Sequence, residues 1–134
     1  MPVSRPAQEP ERVWTILIVE DEFFLRDMVA MYLRECGWNV LEAASGEDAL
    51  LHLDEAPDID VVFTDLRLGG TLNGWDVGEA FRRKLPDLPV IYTTGRTIEP
   101  QRGVDGSLFF DKPYAPEQIR TACERLTNGQ PNSS

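Results

Sequence analysis

The sequence predicts an α/β fold built on a doubly wound parallel sheet, and three observations predict it. Short apolar runs rich in β-branched and aromatic residues recur along the chain. Those runs are continuous rather than alternating, the pattern of strands covered on both faces. Stretches of helical period fill the gaps, so that strand and helix alternate five times. Such alternation argues for parallel strands joined by right-handed helical crossovers.

Taken in order, the first strand is Ile16-Leu17-Ile18-Val19. The helix after it puts Leu25, Val29, Tyr32 and Cys36 on one face, and Gly37 stops it. Asn39-Val40-Leu41-Glu42-Ala43 mixes polar with apolar residues and reads as an edge strand. Ser45 caps a second helix with Ala49, Leu50 and Leu53 inward, and Asp48 is an imperfect capping-box partner. Val61-Val62-Phe63 is the third strand. Val77, Ala80, Phe81 and Leu85 form the inner face of a third helix that ends before Pro86. Val90-Ile91-Tyr92 is the fourth strand. Between Gly95 and Gly106 a further helix is expected, broken up by Pro100 and Gly103. Leu108-Phe109-Phe110 is the fifth strand. Ile119, Ala122, Cys123 and Leu126 line the last helix, entered through Pro116. Five units in this length fit the flavodoxin-like strand order 2-1-3-4-5, which puts the first and third strands together at the switch point. Ligands bind there, beyond the carboxyl ends of the strands.

Bulk properties narrow the function classes. The chain of 134 residues is the size of one domain, expected over residues 14–127 between an extension at 1–13 and a polar tail at 128–134. A formal net charge of -10 argues against nucleic-acid binding through phosphate neutralisation. Residues 1–12 hold three prolines and no apolar core, so no signal peptide is expected, and no run is long enough to cross a bilayer. A cytoplasmic protein with no membrane partner follows by default. Cys36 and Cys123 lack metal-ligand spacing and read as two buried thiols in a reducing compartment. His52, the only histidine, reads as a partly exposed side chain without a ligand role. Trp14, Trp38 and Trp75 read as packing residues, with Trp75 close enough to the loop after Asp65 to report on it.

The residues just past each strand carry the chemistry. The first strand ends in Glu20-Asp21, the third in Asp65, the fourth in Thr94 and the fifth in Lys112-Pro113. In a parallel sheet these ends point the same way, so three carboxylates, a hydroxyl and an ammonium meet on one rim. Each alone has an ordinary explanation as a helix cap or solvated surface; together they do not. Clustered carboxylates repel unless a cation neutralises them. Hard oxygen ligands with open positions suit Mg²⁺, which keeps several waters and shares a phosphate readily. A carboxylate oxygen can then attack phosphorus, while Lys112 and Thr94 offer charge and a hydroxyl to the phosphoryl oxygens.

The segments Ile16-Leu17-Ile18-Val19-Glu20-Asp21-Glu22, Val61-Val62-Phe63-Thr64-Asp65-Leu66 and Phe109-Phe110-Asp111-Lys112-Pro113 resemble the receiver domains of two-component response regulators. The resemblance covers roughly residues 14–127. It implies that Asp65 accepts a phosphoryl group from a phosphohistidine on a histidine kinase or histidine phosphotransfer protein. It further implies that Asp21, Asp65 and the backbone carbonyl of Arg67 bind Mg²⁺ directly, with Glu20 acting through water. In the same pattern Lys112 pairs with the phosphoryl group, Thr94 swings towards it, and Phe109 is the aromatic switch whose rotamer follows Thr94. A cis peptide bond before Pro113 is implied as well. The expected product is a phosphorelay switch, not an enzyme, and a monomer or weak homodimer. Met1 and the polar ends are read as those of a stand-alone regulator.

Departures from the pattern are also visible. The loop Leu66 to Gly74 is one residue longer than usual and glycine-rich, where a methionine-proline turn is common. Thr93-Thr94-Gly95 resembles a subgroup of single-domain alphaproteobacterial regulators, and Phe109 lacks a tyrosine's hydroxyl. Two other classes compete. A phosphatase of the haloacid dehalogenase type needs a second aspartate two residues after the nucleophile, where this chain has Arg67, and the chain has no room for a cap domain. A pseudo-receiver that binds partners without taking phosphate would not need the complete set Glu20, Asp21, Asp65, Thr94 and Lys112.

Overall fold

A computed structural model of the chain describes residues 13–55, 58–95 and 102–127. The strands are β1 (Thr15–Val19), β2 (Asn39–Ala43), β3 (Val61–Asp65), β4 (Val90–Thr94) and β5 (Leu108–Asp111). The helices are α1 (Phe23–Glu35), α2 (Gly46–Glu55), α3 (Gly74–Lys84) and α4 (Pro116–Thr127). All strand pairs are parallel, and the sheet runs β2-β1-β3-β4-β5, the flavodoxin-like order that the sequence predicts. The register pairs Val19 with Thr64 and Thr64 with Tyr92, so β1, β3 and β4 end side by side.

Successive residues of each inner strand face opposite sides, and both sides are covered. Ile16, Ile18, Val61 and Phe63 pack under α1 and α4 with Val29, Leu33, Ile119 and Cys123. Leu17, Val19 and Val62 pack under α2 and α3 with Ala49, Leu53, Val77 and Phe81. Every residue of β1, β3 and β4 is buried, which is why their apolar runs are unbroken. Each fully buried aliphatic side chain here contributes about 1.5–3 kcal/mol.

The element ends follow local rules. Trp38 N–H donates to the Leu33 carbonyl and Gly37 N–H to that of Arg34, both at 3.0 Å. With Gly37 at φ 97, this is a Schellman motif. Asn73 caps α3: its Oδ1 accepts from Asp76 N–H while Asp76 Oδ2 accepts from Asn73 N–H, a full capping box. Ser45 Oγ accepts from Asp48 N–H at 3.0 Å, whereas the Asp48 carboxylate reaches Ala44 instead of closing the box on Ser45.

Several sequence readings need correction. Cys36 is exposed; only Cys123 is buried. The inner face of α1 is built from Val29, Ala30 and Leu33, and Cys36 falls at the C-cap, where the chain already leaves the helix. Ala80 is likewise only half-buried, and Gly78 takes the inward position on α3. β5 is half-buried, because it forms the second edge of the sheet. The helix expected between Gly95 and Gly106 lies mostly outside the described residues; within them, Arg102, Asp105 and Gly106 lie in turns and Gly103 and Val104 have no regular structure.

Candidate functional site

The carboxyl ends of β1, β3, β4 and β5 form the rim, and the sheet delivers one polar residue from each. Glu20 follows β1 and is 3 % exposed, while Asp65 closes β3 and is 5 % exposed. Asp21, one residue further out, is exposed. A carboxylate oxygen from each of the three lies within 4.8 Å of the others. Thr94 closes β4 and is buried. Lys112 follows β5, its N–H donating to the Thr94 carbonyl at 2.9 Å, and the Lys112–Pro113 bond is cis, as the resemblance implies.

Lys112 ties the cluster together. Its Nζ donates to Asp65 Oδ2 at 2.8 Å and to Glu20 Oε1 at 3.1 Å. Asp65 Oδ1 accepts a longer bond from Arg67 N–H at 3.3 Å, and Glu20 Oε2 accepts from Glu22 N–H at 3.0 Å. Two buried carboxylates thus share one ammonium. Burial pushes the Glu20 carboxyl up to about 7, and the neighbouring Asp65 charge adds to this; Lys112 and the Glu22 N–H only partly offset it. Burial by itself would lower Lys112, but its hydrogen bond and attraction to Asp65, with Glu20 adding, hold the ammonium above its ordinary range. Burial, with the Glu20 and Asp65 charges, also raises the nearby Tyr114, whose ring packs edge-on against Phe63.

The structure therefore gathers Glu20, Asp21, Asp65 and Lys112 into one cluster. Thr94 and Phe109 stand beside it and line a recess of about 130 Å³ with Leu66 and Tyr92. Arg67 is exposed and meets the cluster through its backbone N–H. His52 is outside the site, its Nε2 3.0 Å from the Glu42 carbonyl oxygen.

Three supporting features were not read from the sequence. Arg26 donates to the Glu20 carbonyl at 2.7 Å and pairs with Glu42, which fixes the turn carrying Glu20 and Asp21. Trp75, Tyr92 and Phe109 form an aromatic trio with centroids 5.0–5.6 Å apart. Gly74 lets the first turn of α3 abut the end of β3. A Cβ there would overlap the Asp65 carbonyl oxygen and lie 2.8 Å from Leu66 Cα. These are backbone atoms, so Gly74→Ala is expected to cost about 3 kcal/mol. Urea unfolding checks this, and a loss below about 1 kcal/mol would mean that β3 and α3 separate easily.

Comparison with known proteins gives the same picture. The family model described as the response regulator receiver domain matches residues 16–124. The chain is 29% identical over 117 residues to the transcriptional regulatory protein CssR of Bacillus subtilis, covering 84% of this chain and 51% of CssR. It thus spans about half the length of the curated relatives it matches. Among solved structures, a response regulator receiver protein of Sinorhizobium medicae superposes with a TM-score of 0.82 at 31% identity, over 87% of this chain and 95% of that one. The chemotaxis protein CheY4 of Vibrio cholerae superposes at 0.78 with 26% identity, over 86% and 99%. A five-stranded sheet in this order, an acidic rim tied by a lysine after the last strand, and a family match spanning most of the chain lead to one assignment: the chain belongs to the response regulator receiver domain family.

Proposed function

We propose that this chain is a phosphoacceptor switch in which Asp65 takes a phosphoryl group from a phosphohistidine and the change alters partner binding. One observation carries the reading: the Asp65 carboxylate ends β3 at 2.8 Å from Lys112 Nζ, with Glu20 and Asp21 oxygens within 4.8 Å. The donor would be a histidine kinase or a histidine phosphotransfer protein. In this reading the chain is a substrate and switch for such partners, not an enzyme. No helix of the described residues is long and apolar enough to cross a membrane.

The cluster fits Mg²⁺ by its donor chemistry: three hard carboxylates, two buried and one exposed to solvent. Asp21, Asp65 and the Arg67 carbonyl would hold it, with Glu20 acting through water. Bound there, the ion neutralises carboxylate charge and draws charge from the phosphoryl oxygens. Asp65 is the nucleophile: its oxygen forms a bond to phosphorus as the P–N bond breaks, and that electron pair returns to the donor imidazole. Lys112 keeps its positive charge at neutral pH and turns from Asp65 to a phosphoryl oxygen. Thr94 donates its hydroxyl to another, and Phe109 follows into the recess that Thr94 lines.

Intact-mass measurement after incubation with acetyl phosphate and Mg²⁺ tests the reading. One added phosphate is expected, and none after chelation of the metal. A chain that takes none in either condition would be a pseudo-receiver.

The metal should also show in stability. Glu20 titrates in the folded state near 7 against an ordinary value of 4.5. Its raised value stabilises the metal-free fold below about pH 4.5, and this contribution is lost as pH rises through about 7. A proton on Glu20 competes with a cation, so the Mg²⁺-induced rise in melting temperature should grow as pH climbs through that range. At a hundredfold excess over its dissociation constant, Mg²⁺ should add about 2.7 kcal/mol. Asp21→Asn should lose most of the response; an identical response in both proteins removes Asp21 from the site.

A further inference from the structure

The loop between β3 and α3 is pinned at both ends of its glycine pair. Leu68 packs against the core under α2 and α3. Thr71 N–H donates to Glu47 Oε2 at 3.1 Å, and Glu47 lies in the first turn of α2. A Cβ on Gly70 would sit 2.6 Å from Glu47 Oε1, and a Cβ on Gly69 would sit 3.3 Å from Asp21 Oδ2. The loop therefore passes between two carboxylates, one on α2 and one on the rim, and a side chain at residue 70 would push the exposed Glu47 carboxylate aside.

We propose that Glu47 is a positioning residue for the phosphoacceptor site, holding the 66–73 loop against Asp21 through its hydrogen bond to Thr71 N–H. The proposal rests on Asp21 and Asp65 belonging to that site. Asp21 is exposed, and its carboxylate lies next to Gly69, where an added Cβ would come within 3.3 Å of Oδ2. If Glu47 lets go, the loop gains freedom at Gly69-Gly70, where glycine offers the least resistance. Asp21 then loses its wall, and a metal that depends on its position is held less well. Arg67 belongs to the same loop, so its N–H contact to Asp65 Oδ1 should loosen with it.

The test uses the full chain with Glu47→Ala, Glu47→Gln and Gly70→Ala. Mg²⁺ titrations are followed by tryptophan fluorescence, with thermal melts and amide hydrogen exchange on the metal-free proteins. Glu47→Ala should weaken Mg²⁺ binding about two- to tenfold, the range set by losing one net hydrogen bond. It should also speed exchange across Gly69 to Leu72. Glu47→Gln keeps an oxygen that accepts from Thr71 and should bind as the parent does. Gly70→Ala displaces Glu47 without removing it and should reproduce the loss.

A lowered melting temperature with unchanged Mg²⁺ binding would make Glu47 merely structural and overturn the proposal. Equal losses in Glu47→Gln and Glu47→Ala would trace the effect to charge and overturn it too. If the parent binds Mg²⁺ and takes phosphate while Glu47→Ala titrates identically, only the role of Glu47 falls. A parent that does neither sinks the phosphoacceptor reading itself, and this proposal with it.

Discussion

Lys112→Met is expected to destabilise the metal-free protein by about 3 kcal/mol near pH 8 and by much less near pH 5.5. Methionine keeps most of the side chain's volume, so the loss isolates the charge. The side chains of Glu20 and Asp65 are 5% and 6% exposed, and the Lys112 ammonium is the cation within hydrogen-bonding distance of both. Removing it leaves two buried carboxylates facing each other, and breaking a buried pair in this way costs several kcal/mol. Protonation relieves the repulsion. Glu20 already titrates near 7 with Lys112 present, and without it the value must climb further. Below that value the variant carries one charge fewer in the cluster, and its deficit shrinks. Metal-free urea unfolding at both pH values checks the sign. Equal deficits would mean that Glu20 and Asp65 do not repel one another.

Much of this was legible in the sequence because the sheet is parallel and buried. The unbroken runs Ile16-Leu17-Ile18-Val19 and Val61-Val62-Phe63 leave little choice but inner strands, and β1 and β3 are indeed adjacent and fully buried. Once the strands run parallel, Glu20, Asp21, Asp65 and Lys112 must share an end, whatever the details of the helices. The mixed pattern of Asn39 to Ala43 likewise marked β2 as an edge.

Of the features that were not legible, the exposure of Cys36 is set locally and the others depend on partners distant in sequence. Periodicity put Cys36 inside, but a helix ends where its cap forms, and the Schellman turn at Gly37 carries Cys36 out to the surface. The half-burial of β5 comes from sheet order, which its three apolar residues do not reveal. Glu47 and Thr71 are 24 residues apart, and neither residue type announces the contact. Tyr92 looked like a strand residue; its packing against Trp75 and Phe109 depends on how α3 crosses the sheet. The capping box of Asn73 and Asp76 has a spacing visible in the sequence but was not read from it.

The largest functional effect is expected from Asp65→Asn. An amide matches the carboxylate in shape but is a far weaker nucleophile, and its nitrogen would present hydrogens where Lys112 now donates to Oδ2. The fold should survive, because the substitution also removes the carboxylate whose charge helps to raise Glu20. Metal-free stability should therefore stay near that of the parent while phosphate uptake vanishes. The decisive measurement is intact mass of the parent and Asp65→Asn proteins side by side, after the same exposure to acetyl phosphate and Mg²⁺. The parent should gain one phosphate and the variant none. A folded variant that labels as fully as the parent would place the acceptor elsewhere and contradict the account.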